Sequence, residues 1–365
     1  MKKLCLVYGG DSLERDISIL TSLKIQKELD KFAYDYLMVY LDQEGNFYTG
    51  EALLDKNNYA YKKNFKKGCF LRKNNKNYFK TNLKKTEFDL VLLLMHGYGS
   101  EDGTVGGFFD TLKIPCIYPG LIQSALLQDK ANFKRVMSSL NIKQTNYEIL
   151  TYYDFQLCLN QKKKMTKLLF PLIVKPSHLG SSIGIRKVNS ETELINALYE
   201  AYQYDEVAII EETILNLKEV NVAIVRKDNE LFASNVERVN DKDKVLSFMD
   251  KYDNYSLSES HIIPADIEKN LIKKVISTSK KVYSKLLLNS VVRFDYLLDE
   301  KTKELYLNEI NAIPGSLSYY LFSSLGIDTC DLIDILIKDY ENLQIEKNRK
   351  IKVFGENFLS ILKEK

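Results

Sequence analysis

The chain has 365 residues, 45% of them hydrophobic and 28% charged, so it can bury more than one core, and two or three packed subdomains are expected. Its net charge of +3 comes from basic residues spread along the chain, which argues against the concentrated basic face of a nucleic-acid-binding protein. The five cysteines (Cys5, Cys69, Cys116, Cys158, Cys330) are far apart and lack zinc spacing, which points to reduced thiols in a cytoplasm, and no apolar run nears the ~20 residues of a membrane span.

Leu4 to Tyr8 is a short apolar run that ends at Gly9-Gly10. It is too short for a signal-peptide core despite the two preceding lysines. Asp11-Ser12 and a helical pattern through Leu29 follow, so the start reads as strand, glycine turn and capped helix, the opening of an α/β unit. Asp11 or Ser12 can serve as an N-cap; Glu14 in the same turn can hold a substrate ammonium group. Tyr36 to Leu41 is the next strand, and the Lys-, Asn- and Tyr-rich stretch from Tyr48 to Lys85 reads as solvated hairpins. Phe88 to Met95 is a buried strand that stops at His96-Gly97. A lone histidine is usually structural, but this one ends a strand before a glycine-rich turn, where α/β folds bind ligands.

Residues 121–140 read as one helix containing Asp129-Lys130. Phe170 to Lys175 and Val207 to Glu211 are apolar strands, separated by a loop with Gly180, Ser181, Ser182 and Gly184 and then a helical stretch. A lysine leaving a buried strand beside such a loop suits a phosphate, although neither the Walker A nor the dinucleotide spacing is present, and a Gly/Ser turn can be only a turn. After Glu219 come mixed strands, a polar segment from Asn240 to Ser260, a helix over 266–288 and a hairpin over 291–311. The last two dozen residues read as an amphipathic, lysine-rich peripheral helix.

The hairpin is the most informative stretch. Period-2 alternation puts Arg293 and Asp295 on one face of its first strand, and Glu309 and Asn311 on one face of the second. With Asp299 to Lys303 as the turn, Arg293 is expected opposite Glu309, and Asp295 diagonal to it at about 7–8 Å. Two carboxylates and an amide on one surface supply the hard oxygen ligands that Mg²⁺ takes when phosphates complete its shell. The alternative is a solvent-facing charged ladder, but the flanking residues are strongly apolar and Pro314-Gly315 follows.

With these stretches in hand, the chain resembles the D-alanine–D-alanine ligases of the ATP-grasp superfamily. The likeness runs in order through GGDSLERDIS, HGYGSEDGT, SALLQDK, VKPSHLGSSIGI, IIEE, FMDKY, RFDYLL and NEINAIPG. It implies an N-terminal α/β domain (1–120) followed by two α+β ATP-grasp subdomains (121–212 and 213–365) that sandwich ATP. It further implies that Lys130 and Lys175 grip ATP phosphates, with Ser181 and Ser182 in the phosphate loop. Glu211 and Glu212 would lie at the adenine hinge, Glu219 would bind the ribose, and Lys251 on the polar loop would close over the γ-phosphate. Asp295, Glu309 and Asn311 would hold two Mg²⁺ ions, with Mn²⁺ as a substitute. Glu14 would orient the first D-alanine in a hydrogen-bonded set with Ser181 and Tyr252, and His96 would sit near its carboxylate. Arg293 and the Gly315 backbone N–H would stabilise the oxyanion.

The resemblance implies D-alanyl-D-alanine made through D-alanyl phosphate for peptidoglycan precursors, in the cytoplasm, by an enzyme of a kind often dimeric, with no nucleic-acid or membrane partner. Lys251-Tyr252 favours an amine acceptor, because ester-forming relatives tend to carry a histidine there. The chain departs from the family after Pro314-Gly315, where Tyr320 stands in place of the serine that holds the second alanine's carboxylate; Ser318 is the candidate substitute. Glu212 also replaces a common hinge lysine. The competing readings are a ligase with another amino-acid acceptor and a catalytically weak nucleotide- or peptide-binding paralogue.

Overall fold

The computed structural model describes residues 2–239 and 261–350. Lys251 and Tyr252 therefore lie outside the described residues.

Three sheets carry the structure. The first orders its strands as Lys85–Phe88, Lys76–Thr81, Lys66–Lys73, Phe47–Thr49, Tyr36–Leu41, Leu4–Gly9, Leu90–Leu93 and Cys116–Ile117. The last four pair in parallel and the others antiparallel. Leu4–Gly9 is buried along its whole length, as a parallel strand covered on both faces must be. The polar stretch expected as hairpins forms the antiparallel meander. The expected strand Phe88 to Met95 is instead divided at Asp89, where the chain passes from the meander to the parallel strands. Asp89 accepts the Lys3 backbone N–H at 2.7 Å, and Asn77 donates to the Asp89 carbonyl at 2.9 Å, so the break is well tied.

The second sheet orders Arg186–Val188, Leu172–Pro176, Val207–Glu212 and Tyr147–Thr151, all antiparallel. Phe155, Leu194 and Leu198 from its helices pack on Leu172, Val174 and Ile210. The third orders His261–Ile262, Glu237–Val239, Leu217–Lys227, Val292–Asp299 and Glu304–Asn311, with Glu230–Ala233 also on Leu217–Lys227. The expected helix over 266–288 spans Lys269–Lys285 and buries Leu271, Val275 and Val282 against this sheet.

The expected helix over 121–140 is two helices, Leu121–Gln128 and Lys130–Ser139. Asp129 between them is extended (φ −86°, ψ 92°), and its side chain caps the second helix by accepting from the Asn132 N–H at 3.0 Å. An N-cap residue cannot be helical itself, so this aspartate both breaks the run and starts Lys130 on a new axis.

The hairpin register differs from expectation. Asp295 stands opposite Glu309, and Arg293 opposite Asn311, rather than Arg293 opposite Glu309. The turn shifts the pairing by one residue (Asp299 faces Glu304), and a bulge at Asn308 shifts it by one more. Two shifts restore the original parity, so all four polar residues keep a common face while Phe294, Tyr296, Leu307 and Ile310 stay buried on the other.

The largest core joins the two ends of the chain. Leu4, Leu6, Leu29 and Leu92 pack with Leu332, Ile333 and Leu336 from the helix Thr329–Asn348, and with Ala223 and Val225 of the third sheet. The Tyr34 hydroxyl donates to Asp334 at 2.9 Å across the same junction. The helix Thr329–Asn348 buries residues of its first half, and only its end overlaps the expected peripheral helix; residues 351–365 lie outside the described residues.

Candidate active site

Glu14 precedes the helix Arg15–Lys31 and is 8% exposed. Its carboxylate sits between two glycines: a Cβ on Gly97 would lie 2.9 Å from Oε2, and one on Gly180 3.0 Å away. Only bare backbone permits the two loops to close on it. The Ser181 hydroxyl donates to Glu14 Oε1, joining the first turn of the chain to the Gly/Ser loop. Burial and then the Glu101 charge raise the Glu14 pKa, against the pull of Ser181, His96 and Lys130. An arriving ammonium would offset that negative charge. His96 lies 3.2 Å from Thr21 Oγ1 through Nε2 and 3.7 Å from Glu101 through Nδ1. Glu101 was not singled out by sequence reasoning, yet it also accepts the Gly97 N–H at 3.0 Å and the Ile313 N–H at 3.4 Å.

The Gly/Ser loop holds Ser181 and Ser182 at φ +51° and +61°, a left-handed pair in the tight turn after Gly180. His178 anchors this loop. Its Nδ1 lies 3.0 Å from Asp205 and its Nε2 3.7 Å from Asp129, and its backbone N–H donates to Asp205 at 2.7 Å. The hydrogen bonds to Asp129 and then Asp205 push the His178 pKa up to about 9. A raised histidine pKa stabilises the fold fully below its unfolded value near 6.5 and loses that contribution as pH rises through 9. The expected result is a loss on the order of 2 kcal/mol between pH 6.5 and pH 9.5 in urea unfolding, absent in His178→Gln. An identical pH profile in the variant would remove the clamp.

Lys130 is 8% exposed; its ammonium donates to the Leu179 carbonyl at 2.6 Å and lies 3.6 Å from Glu309. Lys175 donates to Asn308 Oδ1 at 3.2 Å and pairs with Glu211 at 3.0 Å. Glu211 is 4% exposed and also pairs with Lys134 at 2.5 Å. Burial alone would raise its pKa; Lys175 and then Lys134 outweigh burial and hold it down at about 2. The Glu211 side chain thus orients a lysine, while Glu212 accepts from Asn146 at 2.8 Å. Glu219 lies on the strand Leu217–Lys227, opposite Leu297 and Val239. Lys134 and Asn308 were missed in the sequence: one reads as a surface residue of a helix, the other as one step of an alternating strand.

On the hairpin, Arg293 forks onto both Asp295 oxygens at 2.7 and 2.8 Å, and Asn311 donates to Asp295 at 2.8 Å. Among the described residues no group of three His, Cys, Asp or Glu side chains could hold a metal. Asp295, Glu309 and Asn311 carry the hard oxygen atoms that a cation drawing its remaining ligands from phosphates would use, once Arg293 and the Asn311 amide release the Asp295 oxygens.

Beyond the hairpin, no heavy atom of the described residues, its two chain neighbours apart, lies within 4 Å of where a Cβ on Gly315 would stand. Ser316, Leu317 and Ser318 are all left-handed (φ 50° to 55°), a run held by the burial of Leu317 and Ser318. Ser318 Oγ is buried without a hydrogen-bond partner among the described residues. Tyr320 donates to Glu237 at 3.2 Å. The structure thus brings together Glu14, Ser181, Lys130, Lys175, Glu309, Asp295, Asn311 and Arg293, with Tyr320 linked to Arg293 through the charge both share with Glu237.

Comparison with known proteins agrees over nearly the whole chain. The family profile "D-ala D-ala ligase N-terminus" matches residues 3–119, and "D-ala D-ala ligase C-terminus" matches 136–338. A D-alanine–D-alanine ligase of Thermosipho melanesiensis is 32% identical over 99% of both chains. One of Campylobacter jejuni is 33% identical over 98% of this chain and 97% of its own. Among solved structures, the D-alanine–D-alanine ligase of Helicobacter pylori superposes with a TM-score of 0.75 at 29% identity, covering 92% of this chain and 99% of its own. A D-Ala:D-Ser ligase of Enterococcus faecalis gives 0.77 at 25% identity, covering 93% and 99%.

Proposed function

The chain belongs to the D-alanine–D-alanine ligase family, and from that premise we propose how this ATP-grasp site joins two D-alanine molecules. What supports the assignment most is the contact of Lys130 with Glu309 and of Lys175 with Asn308, which sets two cations against the acidic hairpin. We divide the chain into 1–120, 121–212 and 213–365, a division supported by the separate sheets in each part.

A carboxylate is a poor acyl donor because its leaving group would be oxide. ATP transfers its γ-phosphoryl group to the first D-alanine, giving D-alanyl phosphate and ADP. The amine of the second D-alanine then attacks the carbonyl, loses a proton, and phosphate leaves with the electrons of the C–O bond. Glu14, fixed by Ser181, receives the first ammonium group, and His96 stands near the first carboxylate. Lys130 and Lys175 lie against the phosphates, with Ser181 and Ser182 supplying backbone N–H groups. Glu219 takes the ribose, and the strand end at Glu211 and Glu212 faces adenine. Asp295, Glu309 and Asn311 hold Mg²⁺, which when bound screens the phosphate charge. Arg293 and the Gly315 N–H stabilise the tetrahedral anion. Ser318, with an orphaned hydroxyl, is the candidate for the second carboxylate. The roles that the resemblance implies for Lys251 and Tyr252 fall outside the described residues.

A role in supplying cell-wall precursors in the cytoplasm follows from the family membership; all five cysteines are unpaired, as reduced thiols are in that compartment, and among the described residues no helix is long and apolar enough to cross a membrane. The test is phosphate release from MgATP with D-alanine, D-serine, glycine or D-lactate as acceptor, with product mass read directly. D-alanine is expected to give one dipeptide per phosphate; ATP binding without amino-acid-dependent release would favour the binding-module reading.

A further inference from the structure

A buried polar network stands behind Tyr320. Glu237, on the short strand Glu237–Val239, is 0% exposed. Three donors converge on its carboxylate: His261 Nδ1 at 2.6 Å on Oε1, and Asn221 Nδ2 at 2.9 Å and the Tyr320 hydroxyl at 3.2 Å on Oε2. Burial alone would raise the Glu237 pKa; the His261 hydrogen bond and charge, followed by Asn221, more than offset it and hold the group ionised. An ionised carboxylate only accepts, so every proton direction in the network is decided. His261 carries a proton on Nδ1, and the Tyr320 proton points to Glu237. Burial and then Glu237 raise the phenol's pKa, so that proton stays in place.

This polarity matters because Tyr320 occupies the position where the family's serine donates to the second substrate's carboxylate. A phenol has a single proton. While Glu237 holds it, the oxygen has only lone pairs to offer. On the reading of the site as a ligase, we propose that Glu237 is a positioning residue for the acceptor. It turns the Tyr320 oxygen into a hydrogen-bond acceptor that receives an N–H of the incoming amine, in place of the donated bond to the carboxylate. Asn221 and His261 hold Glu237 on its other sides, so the ring is aimed by a strand framework rather than by a loop. Arg293 acts electrostatically on both Glu237 and Tyr320, which ties the arrangement to the hairpin face.

The test separates acceptor binding from the rest of catalysis. In Glu237→Gln the amide presents N–H donors, and in Tyr320→Phe the oxygen is gone. Each is expected to raise the KM of the second D-alanine about tenfold, the scale of one lost hydrogen bond, with the KM values of ATP and of the first D-alanine unchanged. The double variant is expected to be no worse than Tyr320→Phe, because Glu237 acts through the hydroxyl. Additive losses, an unchanged acceptor KM, or an equal rise in all three constants would each overturn the proposal. If Glu237→Gln does not fold, Tyr320→Phe decides alone, and a wild-type acceptor KM there overturns it. A wild-type enzyme that releases no phosphate with D-alanine overturns the ligase reading and this proposal with it.

Discussion

Glu309→Gln is expected to lower dipeptide formation by about 10²–10³-fold, the loss usual for one charge-stabilising group at a reacting centre. Glu309 stands opposite Asp295 on the hairpin and 3.6 Å from the Lys130 ammonium. The amide keeps the shape but supplies no charge, so it weakens the cation site and leaves Lys130 without a carboxylate partner there. With its side chain 28% exposed, the substitution should not disturb folding. A readout independent of turnover is Mn²⁺ affinity in the presence of ATP, which should fall in parallel. A variant with wild-type turnover and metal affinity would remove Glu309 from the metal site.

Glu211→Ala is expected to destabilise the fold by about 3–5 kcal/mol, because it leaves buried charges without their partner. Lys134 and Lys175 are 1% and 5% exposed, and each lies within 3.0 Å of the Glu211 carboxylate. Burial, the largest influence, already lowers the Lys134 pKa despite the carboxylate, so its removal favours a neutral amine. Lys175 would then lose its fixed position, and the ATP KM should rise together with the loss of stability. Adding Lys134→Met should recover part of the stability, since it removes one uncompensated charge. The pH sign is also determined. A depressed carboxylate stabilises above its unfolded pKa near 4.3 and loses that contribution as pH falls toward 2. An unchanged urea midpoint in Glu211→Ala would contradict the account.

Much of this architecture is legible in short patterns, because period and glycine placement report local geometry directly. Alternation identified the common face of Arg293, Asp295, Glu309 and Asn311. The register was not legible, although a signal for it exists: the buried positions run Leu305, Leu307, then Ile310, and the extra step is the bulge at Asn308. The split at Asp129 could have been read from its cap chemistry, since an aspartate before a lysine-started helix is a common start. Lys134 could not, because an inward lysine in a helix has no local mark; only Glu211, far along the chain, explains its burial. The same holds for Glu237, whose partners Asn221, His261 and Tyr320 come from separate elements. Long-range pairing of polar groups leaves no period in a sequence. The family likeness assigns the ATP and donor residues, but Tyr320 is the place where the chain departs, and its partner Glu237 needed the geometry.

The core shared by Leu4, Leu29 and Leu336 has a consequence for synthesis. The ribosome releases the first sheet long before the helix Thr329–Asn348 exists, so the apolar face that Leu332, Ile333 and Leu336 will cover stays open to solvent until that helix has been made. The nascent chain must hold that face unassembled, exposed to chaperones and to sticking, while the two hundred or so residues between the first sheet and the helix are made. A chain truncated before Thr329 would emerge with its first sheet complete in hydrogen bonds yet lacking its cover.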